Sequence, residues 1–229
     1  IFTTHSEYAT ASLPAEAVWA AVDGTAIQGK LDIHSLRSLT GEVSSKLVIY
    51  TEDSFSKKWM EAIIRLDSEI AFDAIEVYPM GGDGTAVKVN EYHNLDPSNK
   101  VKSICMIDGD SQQVDNSDKR VFRLPGESPE LHIFDEICDK LEDCAPILAV
   151  RVMRKYTDAE AVKSIVKTVG NTNRDHHLIF SQIGEKVGFV SENIIIDAFL
   201  TTWCEHYPDE VAKILDQIRE FLPRISDKT

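Results

Sequence analysis

Val101-Lys102-Ser103-Ile104-Cys105-Met106-Ile107-Asp108-Gly109-Asp110-Ser111 reads as a mostly apolar strand that ends in two carboxylates with a glycine between them. Ligand sites of open α/β sheets lie at such carboxyl strand edges. Two aspartates this close repel one another unless a divalent cation lies between or beside them. The geometry recurs upstream, where Leu47-Val48-Ile49-Tyr50 runs into Thr51-Glu52-Asp53. A strand-borne glutamate together with a strand-borne Asp-x-Asp points to a magnesium-dependent phosphoryl-transfer centre of the nuclease type. Asp and Gly are also common turn residues, so Asp-Gly-Asp alone reads as a plain turn too. Asp108, Asp110 and Ser111 lack the following glycine and distal glutamate that a calcium-binding EF-hand loop requires.

The order of elements around the pair adds to this reading. Leu47 to Glu52 forms a strand that ends in a glutamate, and Phe55 to Leu66 a helix. Ala74 to Met80 is a strand closing in Gly81-Gly82, followed by a helix from about Thr85 to Tyr92. Glutamate, glycine pair and Asp-x-Asp, each after a strand of an α/β repeat, resemble the TOPRIM fold of topoisomerases, primases and several nucleases, over Lys46 to about Cys144. Ile1-Phe2-Thr3-Thr4-His5-Ser6, with Leu13-Pro14 and Val18-Trp19-Ala20-Ala21-Val22 behind it, resembles the last strand and switch histidine of an ABC-type ATPase. Such a tail running into a TOPRIM domain is similar to the overcoming-lysogenization-defect (OLD) nucleases, ATPase–TOPRIM fusions of which several act in antiphage defence.

The expected fold is therefore α/β: a Rossmann-like TOPRIM core whose mainly parallel sheet is flanked by helices, with a C-terminal helical subdomain. The expected division is residues 1–45 as the end of an ATPase domain, 46–144 as the catalytic core and 145–229 as helical. The resemblance implies a magnesium-dependent DNA endonuclease, with manganese able to substitute. Glu52, Asp108 and Asp110 would be catalytic metal ligands, and Glu130 a further ligand, with Glu127 in reserve. It also implies a late basic residue that steadies the transition state, for which Lys186 and Arg174 are candidates. In OLD-like domains an aspartate commonly stands four residues after the first glutamate; here that position is Ser56. Its absence puts a second metal in question. Asp53 could substitute, or Ser54 and Ser56 could cap the helix. Ser111, beside Asp110, is a possible accessory group.

Other features set bounds. No Gly-x-x-x-x-Gly-Lys-[Ser/Thr] is present, so ATP would enter only through a preceding ATPase domain, the remainder of which is an expected partner together with DNA and further copies of the whole protein. The chain starts at Ile1 without methionine or signal-peptide pattern, which suggests that something precedes it. No apolar stretch approaches the roughly 18–20 residues of a membrane span. The four cysteines lack Cys-x-x-Cys spacing and read as reduced, buried or half-buried thiols of a cytoplasmic protein, without zinc. A net charge of −14 argues against indiscriminate DNA binding through a basic surface. The short groups Lys57-Lys58, Lys119-Arg120-Arg123 and Arg151-Arg154-Lys155 read as solvated faces balancing nearby acids, and His176-His177 as two independent surface or capping histidines.

Glu130 should begin a helix reaching about Leu141, with Ser128 as N-cap and Pro129 in the first turn. Farther on, a buried helix is expected from about Ile194 to Cys204. A last helix should start at Pro208 and bury Val211, Ile214, Leu215 and Ile218. Two other functions fit the same sequence. One is another TOPRIM activity, primase-like or topoisomerase-like, although the six tyrosines show no context for a nucleophile. The other is a non-catalytic sensing or docking module in which Asp-x-Asp is retained for structure.

Overall fold

The structure, a computed structural model, describes residues 17–22, 25–28, 46–67, 70 and 74–222. The chain divides at Ser45 and Lys46 into two compact units. Of the first, the described part is an antiparallel hairpin, β1 (Trp19–Val22) and β2 (Thr25–Gln28), with Trp19 opposite Gln28. The Thr3-Thr4-His5-Ser6 stretch, Leu13-Pro14 and the polar segment before Lys46 lie outside the described residues.

The second unit opens with β3 (Leu47–Thr51), α1 (Ser54–Leu66), β4 (Ile75–Pro79), α2 (Asp83–Leu95), β5 (Lys102–Ile107) and β6 (Val121–Arg123). The four strands form one parallel sheet in the order β4-β3-β5-β6. Side chains alternate across it, as strand periodicity requires. Ile104 and Met106 enter the large core with Leu47 and Ile49, whereas Cys105 and Ile107 join Ala86 and Val121 in a smaller cluster beneath α2. Both faces are thus covered, which is why β3 and β5 read as nearly continuous apolar runs. The chain leaves β3 towards β4 on one side and β5 towards β6 on the other. The gap between their carboxyl ends is a topological switch point, the crevice where open α/β sheets bind ligands.

Helices complete the unit: α3 (Pro129–Asp139), α4 (Leu141–Arg151), α5 (Ala159–Thr172), α6 (Ile179–Gly188), α7 (Glu192–His206) and α8 (Pro208–Arg219), with 3-10 turns at Tyr156–Asp158 and His176–Leu178. This is the expected Rossmann-like α/β arrangement with C-terminal helices. Residue 145 falls inside α4, and the helices share one core with the sheet. α7 is central, burying Ile195, Phe199, Leu200 and Trp203 among the helices around it. α1 points Phe55, Trp59, Met60, Ile63 and Ile64 into the same core, an i, i+4, i+5, i+8, i+9 face. Trp59 meets Trp203 edge to face at 5.1 Å, and Phe180 meets Phe199 at 5.2 Å. Among the described residues no single helix is long and apolar enough to cross a membrane.

Because Trp59 and Trp203 bridge sheet and helices, truncating either opens a cavity common to both. Trp59→Ala should cost about 3–5 kcal/mol. Urea unfolding of the full chain, followed by circular dichroism, measures it; a loss below about 1 kcal/mol would contradict a shared core.

Candidate active site

Glu52 follows the last residue of β3, and Asp108 the last residue of β5. The pairing of Thr51 with Met106 brings the two strand ends side by side. There the Asp108 amide donates to Glu52 Oε1 at 3.0 Å. On the other flank, Gly81 and Gly82 N–H groups donate to the Glu52 carbonyl at 2.8 and 3.0 Å. Both glycines have positive φ, 76° and 146°, so the turn needs residues without a Cβ. Glutamate, glycine pair and Asp-x-Asp therefore meet at one edge, as their spacing implied.

A fourth carboxylate joins them, one that the sequence reading passed over. Asp83, in the first turn of α2, accepts from the Ser111 hydroxyl at 2.8 Å. That bond is the main reason its carboxyl lies below the usual range. Its signal in the sequence is its place directly after the glycine pair Gly81-Gly82 at a strand end. Asp110 is exposed at the mouth of the cluster, and Ser111 lies between Asp83 and Glu52.

The electrostatics are those of crowded acids. Burial raises the Glu52 carboxyl; the Asp108 amide and Ser111 hydroxyl oppose this, while the charges of Asp83 and Asp110 add to it. Asp108, only 6% exposed, is pushed up to about 7, first by burial and then by the charges of Glu52, Asp53 and Asp110, against the hydrogen bond from Ser56.

Ser56 corrects an expectation. It does not cap α1: Asp53 does, accepting the N–H groups of Phe55 and Ser56 at 3.0 and 2.9 Å. Ser56 is fully buried, and its hydroxyl donates to Asp108 Oδ1 at 2.5 Å. A helix start needs an acceptor at the residue before its first turn, and Asp53 occupies that place. This leaves the Ser56 hydroxyl free to turn to the buried acid. Ser128 likewise stands at the N-cap of α3 without a capping bond, its hydroxyl donating to Glu130 Oε2 at 3.3 Å.

Glu130 is engaged by other partners than the Asp-x-Asp pair. Its buried carboxylate contacts His177 Nδ1 at 3.0 Å, which raises the imidazole pKa. The expectation of two independent histidines is thus corrected for His177: the 3-10 turn that follows α5 carries it back to α3. Glu130 and His177 line a cavity of about 140 Å³ with Asp53, Lys58 and Phe180, next to the carboxylate cluster through Asp53. Glu127, Arg174 and Lys186 are exposed, Lys186 in the last turn of α6, and no hydrogen bond joins them to the cluster.

Among the basic groups, Lys57 and Lys119 face solvent beside Glu61 and Glu91, as expected, whereas Arg120, Arg123 and Arg151 are engaged with the fold. Arg123 donates to the carbonyls of Asp108, Gly109, Ser111 and Gln113 and to the Asp115 carboxylate. Arg120 donates to Asn94, and Arg151 bonds Thr202 and Glu205. Gly109 has to be glycine, since a Cβ there would lie 1.6 Å from the Gly126 carbonyl oxygen. Cys105, Cys144 and Cys204 are buried and Cys138 half-buried, all as free thiols that burial pushes above the usual range.

The donors at the strand ends are all oxygen, as a hard divalent cation prefers. Among the described residues no group of three His, Cys, Asp or Glu converges to cage an ion. Glu52 and Asp108 instead suit the way magnesium is commonly held, by one or two carboxylates with water and substrate phosphate completing the shell.

No protein-family profile matches the chain, and no curated protein sequence matches it. A solved structure of the C-terminal region of the Xanthomonas campestris pv. campestris OLD protein is similar over 77% of this chain and 93% of its own length, at 14% identity and a TM-score of 0.41. At that level the likeness bears on neither the site residues nor the activity.

The raised Asp108 carboxyl fixes a pH dependence. Asp108 holds its proton more tightly folded than unfolded. Its stabilising contribution is therefore complete below its unfolded pKa of about 4 and lost as pH rises through about 7. Without divalent ions, Asp108→Asn should raise the melting temperature at pH 8 by roughly 2–4 °C and leave it nearly unchanged at pH 5. Thermal melts at both pH values check this, and an equal gain at both would contradict it.

Proposed function

We propose that the Lys46–Thr229 unit is a magnesium-dependent nuclease that hydrolyses DNA phosphodiesters, the nuclease part of an ATPase–nuclease of the OLD type acting in antiphage defence. The observation that carries this reading is the meeting of Glu52 and Asp108 at the switch point of a parallel sheet, their strands joined by the 3.0 Å bond from the Asp108 amide. The resemblance of the motif order supplies the substrate class.

Glu52 and Asp108 would hold the ion, with Asp110 and Asp83 at its open side. When bound, magnesium supplies Lewis-acid polarisation of a phosphoryl oxygen and lowers the pKa of a water. The chain's own groups account for the rest. Glu52, already raised by burial, is suited to accept the proton of an attacking water. Ser56 orients Asp108 through its hydroxyl. The Gly81-Gly82 turn leaves the approach to Glu52 open, since no atom lies within 4 Å of where either Cβ would be. Because the whole chain carries a net charge of −14, phosphate contacts would come chiefly from the ion and from whatever chain accompanies it.

A second reading, a non-catalytic docking module, is favoured by one observation. Ser56 stands where a carboxylate is expected and ties up Asp108 Oδ1, so the pair is satisfied without metal.

Plasmid nicking separates the two. The protein should nick DNA in magnesium or manganese and stop with chelator. Asp108→Ala and Glu52→Gln should each lower the rate by at least about a hundredfold, the scale of losing a transition-state group. Ser56→Asp should tighten metal binding. Equal nicking by wild type and Asp108→Ala, in protein free of contaminating nuclease, would sink the assignment.

A further inference from the structure

We infer that Arg123 is the positioning residue of the acidic cluster: its guanidinium gathers the carbonyls of the loop after β5, so that this loop turns its Gln112 N–H, and not its carbonyls, towards the acids.

Arg123 ends β6 and pairs with Ile107, so its side chain springs from beside the Asp-x-Asp. Nη1 donates to the Asp108, Gly109 and Ser111 carbonyls at 2.8, 2.9 and 3.0 Å. Nη2 donates to Gln113 at 2.5 Å and Nε to Asp115 Oδ1 at 2.8 Å. All three nitrogens of one side chain are thus engaged with the eight residues from Asp108 to Asp115. A peptide whose carbonyl points one way directs its N–H the other way. Here the Ser111–Gln112 peptide does so: its carbonyl meets Arg123 and its amide meets Asp83 on the acid side of the loop.

The consequence is electrostatic as well as geometric. With its carbonyls facing the acids, the loop would add negative dipole ends to a cluster that already repels itself. Turned as it is, it offers the Gln112 N–H to Asp83. Lysine cannot reproduce this, because one ammonium on a flexible stem lacks the planar fork that reaches four carbonyls at once. Arg123 acts through the backbone of Asp108, Gly109 and Ser111. As a claim about catalysis the inference rests on the nuclease reading, but its structural part stands by itself.

The test uses the full chain with Arg123→Lys and Arg123→Ala. Arg123→Lys keeps the charge and preserves the test if Arg123→Ala fails to fold. Amide hydrogen exchange in the 108–115 loop, read without metal, should quicken at least about tenfold in both variants. Mn2+ affinity should fall about 10- to 100-fold, as when groups behind a metal's ligands are removed. The kcat for nicking should fall with little change in KM, and added guanidinium should partly restore Arg123→Ala. Unchanged loop exchange in Arg123→Lys overturns the inference, as does faster exchange with Mn2+ affinity and kcat intact. A wild-type chain that takes up no Mn2+ refutes the metal reading instead, and the metal-free exchange still decides whether Arg123 holds the loop.

Discussion

The amide of Asp108 donates to Glu52 Oε1, joining the carboxyl ends of two neighbouring parallel strands whose chain continues in opposite directions. That placement is expensive in the absence of a cation, since burial and like charges raise both carboxyls. The surrounding structure is arranged to hold it. Gly81 and Gly82 bind the Glu52 carbonyl, Ser56 donates to Asp108, Ser111 to Asp83, and Arg123 to the loop between them. Each donor satisfies an oxygen that would otherwise be buried or crowded without a partner.

The loop is seated on the core by steric contact as well. Gly109 lies so close to Gly126 that no side chain fits there, and a Cβ on Gly126 would strike His132. His132 in turn packs against Trp59 and Trp203. A continuous stack thus runs from the acidic loop to the aromatic centre shared by sheet and helices. Sites supported this way keep their geometry because a densely packed interior leaves little room for adjustment.

Much of this was legible in the sequence. The apolar runs ending in Glu52 and Asp108, and the glycine pair, gave the parallel sheet and its ligand edge, because strand burial and turn chemistry are local properties. Pro208 and the apolar face of Val211, Ile214, Leu215 and Ile218 gave the last helix in the same way. What escaped depended on contacts between distant residues. Ser56 reads as a cap until Asp53 is seen in that role, and it meets Asp108 across 52 positions of sequence. His177 reaches Glu130 across 47 positions. Arg123 looked like part of a basic surface because nothing local shows that the carbonyls of a preceding loop converge on it. Asp83 reads as an ordinary first-turn acid until Ser111, 28 positions away, is seen to bond it.

Ser56 gives the site its particular character. A hydroxyl in place of a carboxylate removes one negative charge and ties Asp108 in place while the pair is metal-free. Whether the ion displaces that bond is the central question for a nuclease. A crystal structure of the full chain soaked in manganese answers it most directly. The account predicts an anomalous peak bonded to Glu52 and Asp108 at the roughly 2.0–2.6 Å of hard-cation oxygen ligation, with water filling the remaining positions. No peak at the strand ends, with the Ser56–Asp108 bond intact at saturating manganese, would contradict it.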